Sequence, residues 1–344
     1  ARARHNLPSL ATPLVGRENE LADLAKLIAD PDCRLITILA PGGMGKTRLA
    51  LEKACQIVAA VRGDGRQPDF PDGVWLVELA QIQQVEEIVA TIAEAVGFRF
   101  QSDRRPAIQQ LLDFFRAKKI LLIMDNFEHL LDGAGIVGEI VQTAAQVTIV
   151  STSREKLNLY GETVLTLGGL VFPEGQSLED VLQYDAVKIF LNSARRVSPG
   201  YELRPDALGY LQTICRQCYG LPLAIELAGS WVEALSLAEI ASEIAQSLDF
   251  LKTMLRDVPE RHHSVRATFD HSWKLLKEED QRIFARLAVF PGSFSREAAL
   301  EVTGAGLQQL TMLVNKSLLQ RNADRGRYNI HALLRQYAEE KLEA

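Results

Sequence analysis

The stretch Ile38-Leu-Ala-Pro-Gly-Gly-Met-Gly-Lys-Thr-Arg-Leu-Ala50 constrains the fold more than any other part of the chain. The apolar run 35–39 has the composition of a buried strand, and the spacing of apolar residues over 46–59 predicts a helix. Between them lies Ala40-Pro-Gly-Gly-Met-Gly-Lys-Thr47, a phosphate-binding loop with one departure: Ala40 stands where the first of two spaced glycines is expected. Gly42, Gly43 and Gly45 let the backbone curl so that successive N–H groups face phosphate oxygens, and the helix that follows adds its positive end. Lys46 supplies a point charge for the β- and γ-phosphates, and Thr47 a hydroxyl for Mg²⁺. Met44 and Arg48 complete the residues expected against the ligand, a nucleoside triphosphate or its product.

Two further stretches give the loop its surroundings. Lys119-Ile-Leu-Leu-Ile-Met-Asp-Asn-Phe-Glu-His129 reads as a buried strand that delivers Asp125 at its carboxyl end, where a nucleotide-bound Mg²⁺ needs a carboxylate. A strand over 146–150 runs into Ser151-Thr-Ser-Arg154, which puts the Arg154 guanidinium where it can reach a γ-phosphate. Strands are also expected over 72–79 and 163–167, with helices over 18–29 and 85–96. Such alternation predicts a parallel sheet covered on both faces, with ligand at the carboxyl ends of the strands. Residues 1–13 read as an extended polar lead-in. In the segment Pro13-Leu-Val-Gly-Arg17, Leu14 and Val15 can lie along a purine edge while Arg17 stacks or pairs nearby.

The second half is helical in pattern over 181–197, 206–218, 221–235 and 237–247, and again over 265–276, 278–288, 296–302 and 307–316. Runs 318–321 and 327–330 flank a polar turn, 322–326, as in a hairpin, and a last helix covers 332–342. Helices followed by a hairpin suit a winged helix. The helix over 307–316 is short of basic residues and built to pack, and the net charge of −6 also argues against direct nucleic-acid binding. The length of 344 residues allows two or three domains, with 47% hydrophobic and 24% charged residues, as in soluble globular proteins. No apolar run reaches membrane-spanning length and no signal-peptide pattern opens the chain, so a cytoplasmic location without membrane partners is expected. Four cysteines fit a reducing compartment; Cys215 and Cys218 form a CxxC in a helical pattern and read as two buried thiols, not a zinc set. The abrupt ends read as those of a piece from a longer protein.

Taken together, the loop, Leu122-Ile-Met-Asp-Asn126 and Ser151-Thr-Ser-Arg154 resemble the STAND signal-transduction ATPases in their NB-ARC-like branch, which includes plant disease-resistance proteins, the apoptosome scaffold and bacterial transcription regulators. Tyr219-Gly-Leu-Pro-Leu-Ala-Ile-Glu-Leu-Ala228 adds the GLPLA motif of that group. The resemblance runs from about Pro13 to the end of the chain and is nearest to the large bacterial multidomain regulators. It implies a P-loop nucleotide-binding α/β domain over 1–170, a helical domain over 171–256 and a winged-helix domain over 257–344 that serves as a regulatory lid. The Pro of GLPLA contacts the base in this group, so Gly220, Leu221 and Pro222 are carried over as adenine-side residues. His331 matches the histidine of the Met-His-Asp motif, which touches the β-phosphate of ADP in relatives. Ile330 and Ala332 replace the flanking Met and Asp, so only the histidine is carried over.

The expected catalytic residues are then Lys46, Asp125 and Arg154, with Thr47 and Asp125 as metal ligands and ADP or ATP with Mg²⁺ as cofactors. Asn126 departs from the many relatives that carry a second acid there, and an amide cannot be a general base. Glu78 and Glu128 are both candidates to position the attacking water. The resemblance implies slow hydrolysis and a switch: a compact monomer with ADP, and with ATP an open form that makes a homo-oligomer. Covalently linked sensor and effector domains would lie outside this chain. The alternative is an AAA+ or origin-recognition-type ATPase acting on DNA; a nucleotide kinase would need a phosphoacceptor site that the sequence does not present.

Overall fold

The computed structural model describes residues 4–63, 69–102, 104–173, 178–253, 263–322 and 325–343. Within it the chain falls into two units: residues up to Ala40 with Lys46–Leu167, and Pro41–Gly45 with the chain from Gly168 onward. The main break follows Leu167, and the expected boundary between 256 and 257 is outside the described residues.

The first unit runs α1 (Glu18–Ala29), β1 (Leu35–Leu39), α2 (Lys46–Gly63), β2 (Gly73–Glu78), α3 (Glu87–Ala95), α4 (Ala107–Phe115), β3 (Ile120–Asp125), α5 (Ala134–Thr143), β4 (Val147–Ser153) and β5 (Glu162–Thr166). The strands form one parallel sheet in the order β2-β3-β4-β1-β5. The runs β1, β3 and β4 are buried at every position, as continuous apolar strands covered on both faces must be. From β1 the chain goes to β2, and from β4 it crosses to β5 on the other side of β1. The carboxyl ends of β1 and β4 therefore flank the reversal of strand order, where open α/β sheets take ligands. The phosphate loop leaves β1, Arg154 follows β4, and Asp125 ends β3, so topology gathers three of the predicted residues at one sheet edge.

Three features differ from the expectations or add to them. β4 does not stop at Val150 but continues through Ser153, paired with β1 up to Leu39–Ser153. The lead-in docks on the edge strand: the Val74 N–H donates to the Arg4 carbonyl at 3.0 Å, and the Asn6 carboxamide takes the Leu76 N–H at 2.7 Å and gives back to its carbonyl at 2.8 Å. A capped edge of this kind hides ladder groups that would otherwise pair with another chain. The third is α4, which buries Leu111, Leu112 and Phe115 in the core of the unit, with Ile108 packed against it.

The second unit contains α6 (Leu178–Val181), α7 (Asp185–Val197), α8 (Leu208–Gln217), α9 (Pro222–Gly229), α10 (Leu237–Gln246), α11 (Val265–Lys274), α12 (Glu278–Leu287), α13 (Arg296–Thr303), α14 (Leu307–Asn315), the hairpin β6 (Gln320–Asn322) and β7 (Arg327–Asn329), and α15 (Ala332–Glu343). The helix expected over 181–197 is broken at 182–184, where the Gln183 and Tyr184 N–H groups close turns onto Asp180 and Val181. The helix expected over 221–235 ends at Gly229 and tightens into a 3₁₀ turn, Ser230–Glu233. A reciprocal Ser236–Glu239 cap then starts α10. Phe294 and Tyr328 exchange two backbone hydrogen bonds at 2.8 and 2.9 Å, which seats the hairpin beside the helices in a winged-helix arrangement. Residues 323–324 of its turn lie outside the described residues. Cys215 and Cys218 are buried free thiols at the end of α8, and burial pushes the Cys215 thiol up to about 12. Among the described residues no helix is long and apolar enough to cross a membrane.

Because Phe115 is fully buried in the α4 contact, Phe115→Ala is expected to cost about 3–5 kcal/mol in urea unfolding of the chain. A loss below about 1 kcal/mol would show that α4 does not seat on the sheet.

Candidate functional site

In the first unit, the neck of the loop is closed by Lys46, whose Nζ donates to the Ala40 carbonyl at 2.7 Å with the side chain buried. Gly43 and Gly45 adopt φ of 80° and 88°, the left-handed region that favours glycine. Ala40 is not among the positive-φ residues, so a Cβ is tolerated where a glycine was expected. Asp125 Oδ1 accepts from two hydroxyls, Thr47 Oγ1 at 2.5 Å and Thr152 Oγ1 at 2.6 Å. Thr47 and Asp125 thus converge as a pair of hard oxygen ligands, which is the donor set that Mg²⁺ prefers. Thr152 Oγ1 also accepts the Asn126 N–H at 3.0 Å.

Asn126 has a left-handed backbone, φ 68°, and starts the 3₁₀ turn Phe127–His129. Its Nδ2 lies 3.3 Å from His129 Nδ1, and His129 Nε2 lies 2.9 Å from the Ile82 carbonyl. A carbonyl only accepts, so these partners assign the ring proton to Nε2 and make Nδ1 the acceptor for the Asn126 amide. Of the two carboxylates expected near the attacking water, Glu78 is exposed and paired in register with Asp125, while Glu128 is buried against Arg154, Nε to Oε1 2.8 Å. Arg17 is buried, has φ 71° and pairs with Glu20 at 2.6 Å; Leu14 and Val15 before it are half-buried. The Arg48 guanidinium donates to the Thr12 carbonyl.

In the second unit, the loop residues Pro41–Gly45 are bound to the GLPLA segment. The Leu223 N–H donates to the Gly43 carbonyl at 3.2 Å, and a Cβ on Gly43 would meet Leu223 Cβ at 3.0 Å and Leu221 Cδ1 at 3.4 Å. Met44 is buried. Gly220 is dictated by its own surroundings: φ is 68°, its carbonyl accepts the Leu170 N–H at 2.8 Å, and a Cβ would meet the Leu170 carbonyl at 2.2 Å. Pro222 occupies the first turn of α9, where a missing N–H costs nothing. His331 is 3% exposed, edge-on to the Tyr219 ring at 4.9 Å, and among the described residues neither ring nitrogen has a hydrogen-bond partner. Burial lowers its pKa to about 4, so the imidazole is neutral at pH 7 and holds one N–H donor. A buried polar group without a protein partner calls for an explanation, and a phosphate oxygen is an acceptor that this donor fits. The residues present therefore fit a nucleotide with Mg²⁺. Sequence reading missed Thr152 and His129. The run of hydroxyls before Arg154 was the signal for the first, and nothing local pointed to the second.

No family model matches the chain. Rv0894 of Mycobacterium tuberculosis, an uncharacterized protein, is 31% identical over 351 residues, 98% of this chain and 84% of that protein. Rv0890c of the same organism, named as an HTH-type transcriptional regulator, is 36% identical over 320 residues, 90% of this chain and 34% of that protein. The chain thus spans about a third of the length of Rv0890c. Among solved structures, the Walker-type ATPase paby2304 of Pyrococcus abyssi covers 94% of this chain, and 96% of its own chain is covered, with a TM-score of 0.56 and 12% identity. The ORC2 protein of Aeropyrum pernix, solved in ADPNP-ADP complexes, matches over 98% of this chain and 95% of its own at a TM-score of 0.52 and 14% identity. The STAND protein PH0952 of Pyrococcus horikoshii covers 97% of this chain and 43% of its own at 0.38 and 15%.

A His331 that stays neutral when folded titrates near its ordinary 6.5 when unfolded. Its contribution is therefore fully present above about pH 6.5 and is lost as pH falls toward the folded value, roughly 3 kcal/mol in all. Urea unfolding at about pH 7 and about pH 4.5 should show a larger acid loss for wild type than for His331→Gln. Equal losses would mean that the imidazole is not held neutral.

Proposed function

The chain belongs to one family with Rv0894 and shares the fold of P-loop ATPases, and from that premise we propose that it is a nucleotide-dependent molecular switch of the STAND type. It binds ADP in a resting form and ATP in an active one, with slow hydrolysis between them. The observation that carries this reading is the bond between the Gly43 carbonyl and the Leu223 N–H, with Leu221 and Leu223 packed around Gly43. A phosphate loop tied to the start of α9 can pass what it holds to the segment that begins at Tyr219, whose ring meets His331.

In this reading the N–H groups of Gly42, Gly43 and Gly45 and the Lys46 ammonium hold the phosphates, with Met44 and Arg48 alongside. Leu14, Val15, Arg17, Gly220, Leu221 and Pro222 hold the base. Thr47 and Asp125 hold Mg²⁺, which neutralises charge between the terminal phosphates. Arg154 meets the γ-phosphate, and neutral His331 donates to the diphosphate of ADP. Hydrolysis is slow because the Asn126 amide, bound to His129, cannot take a proton from water. Turning a mostly resting population into a mostly active one requires about 5.5 kcal/mol of differential binding. The γ-phosphate contacts and a signal arriving from linked sensor domains would share that requirement, and the length of Rv0890c leaves room for such domains. The winged helix over 257–344, which follows the helical part over 171–256, acts as the regulatory lid. ADP keeps a monomer, ATP yields a homo-oligomer, and four free cysteines support a cytoplasmic setting.

A second reading, an origin-recognition-type ATPase acting on DNA, is favoured by the ORC2 fold match and by the name of Rv0890c. Exposed Arg321 and Arg325 on the hairpin would serve it. DNA-stimulated, rapid ATP turnover would support that reading over the switch. For the site itself, Lys46→Ala is expected to weaken ADP and ATP binding by about 100-fold or more in calorimetric titration. Affinity equal to wild type would remove the loop from the account.

A further inference from the structure

The segments that follow β3 and β4 are cross-tied twice. Thr152 joins Asp125 and Asn126 through its hydroxyl. One step further from the sheet, Arg154 joins Glu128, with the two side chains only 4% and 1% exposed. A buried guanidinium–carboxylate pair adds little net stability over apolar packing, yet either member left alone is strongly destabilising. Packing of a surface turn does not require such a pair, and Phe127 beside it is already fully buried. Along the chain, Glu128 follows the metal-side Asp125 by three residues, and Arg154 follows Thr152, the residue bonded to Asp125, by two.

We propose, resting on the switch reading above, that Glu128 is the residue that sets this site's preference between diphosphate and triphosphate nucleotides, by competing with the γ-phosphate for Arg154. ADP leaves the Arg154–Glu128 pair intact. ATP exchanges one anionic partner of Arg154, the Glu128 carboxylate, for another, a γ-phosphate oxygen. The loss of the carboxylate contact is subtracted from ATP affinity and not from ADP affinity, so Glu128 biases the protein toward its resting ligand.

The test uses the full chain and measures affinity for ADP and for non-hydrolysable β,γ-imido-ATP, both with Mg²⁺, in wild type, Glu128→Gln, Arg154→Gln and the double variant. Glu128→Gln is expected to raise the ratio of triphosphate to diphosphate affinity by about tenfold. Arg154→Gln should lower it, and Glu128→Gln should have no effect on the ratio when Arg154 is absent. If Glu128→Gln does not fold, Glu128→Asp draws the carboxylate back while keeping its charge, and should move the ratio the same way by a smaller factor. A ratio unchanged in Glu128→Gln or Glu128→Asp, or raised equally with and without Arg154, overturns the proposal. Lys46-dependent binding with an unchanged ratio rejects only this inference, whereas a wild type that binds neither nucleotide rejects the switch reading with it.

Discussion

A loop that offers its backbone N–H groups to an anion cannot also use them to fix its own shape, so that shape must be imposed by its neighbours. Here Lys46 reaches back to the Ala40 carbonyl, two glycines take the left-handed conformation, and the Gly43 carbonyl receives the Leu223 N–H. Two of the loop's carbonyls, those of Ala40 and Gly43, serve as its fastenings to the protein. That division explains why Ala40 is acceptable: the position requires a carbonyl directed at Lys46, not a positive φ. It also explains why Gly43 is not replaceable, since a side chain there would press on Leu221 and Leu223 while adopting a disfavoured backbone.

The parallel sheet was legible because its signals are local, and so was the placement of the candidate phosphate loop after β1. Buried parallel strands are continuous apolar runs, and the loop, Asp125 and Arg154 sit at the ends of such runs. Helix α4 is also legible in principle, since Ile108, Leu111, Leu112 and Phe115 recur at i, i+3, i+4 and i+7, although it is not among the expected helices. The break at 182–184 was not legible, because apolar spacing continues across it and only the turn bonds onto Asp180 and Val181 interrupt the helix. Neither was the cross-tying of the site. Thr152 with Asp125, and Arg154 with Glu128, join residues on different strand ends, and no spacing rule connects them. His331 is a candidate by motif position alone. Its buried, unpartnered ring supplies a physical reason that the sequence lacks.

These ties give the site a consistent character. Asp125 is fixed by two hydroxyls, Asn126 by Thr152 and His129, and Arg154 by Glu128. Such preorganisation suits tight binding, while the amide at 126 withholds the base that fast turnover needs. Under the proposed switch, a site that binds well and turns over slowly would keep a record of what it last bound, which is the property a switch uses and a motor avoids.

The measurement that bears most directly on this account is to denature the freshly purified chain and identify the released nucleotide by chromatography. The account predicts ADP in close to one-to-one ratio with protein. A chain that releases no nucleotide and rapidly hydrolyses added ATP would contradict it.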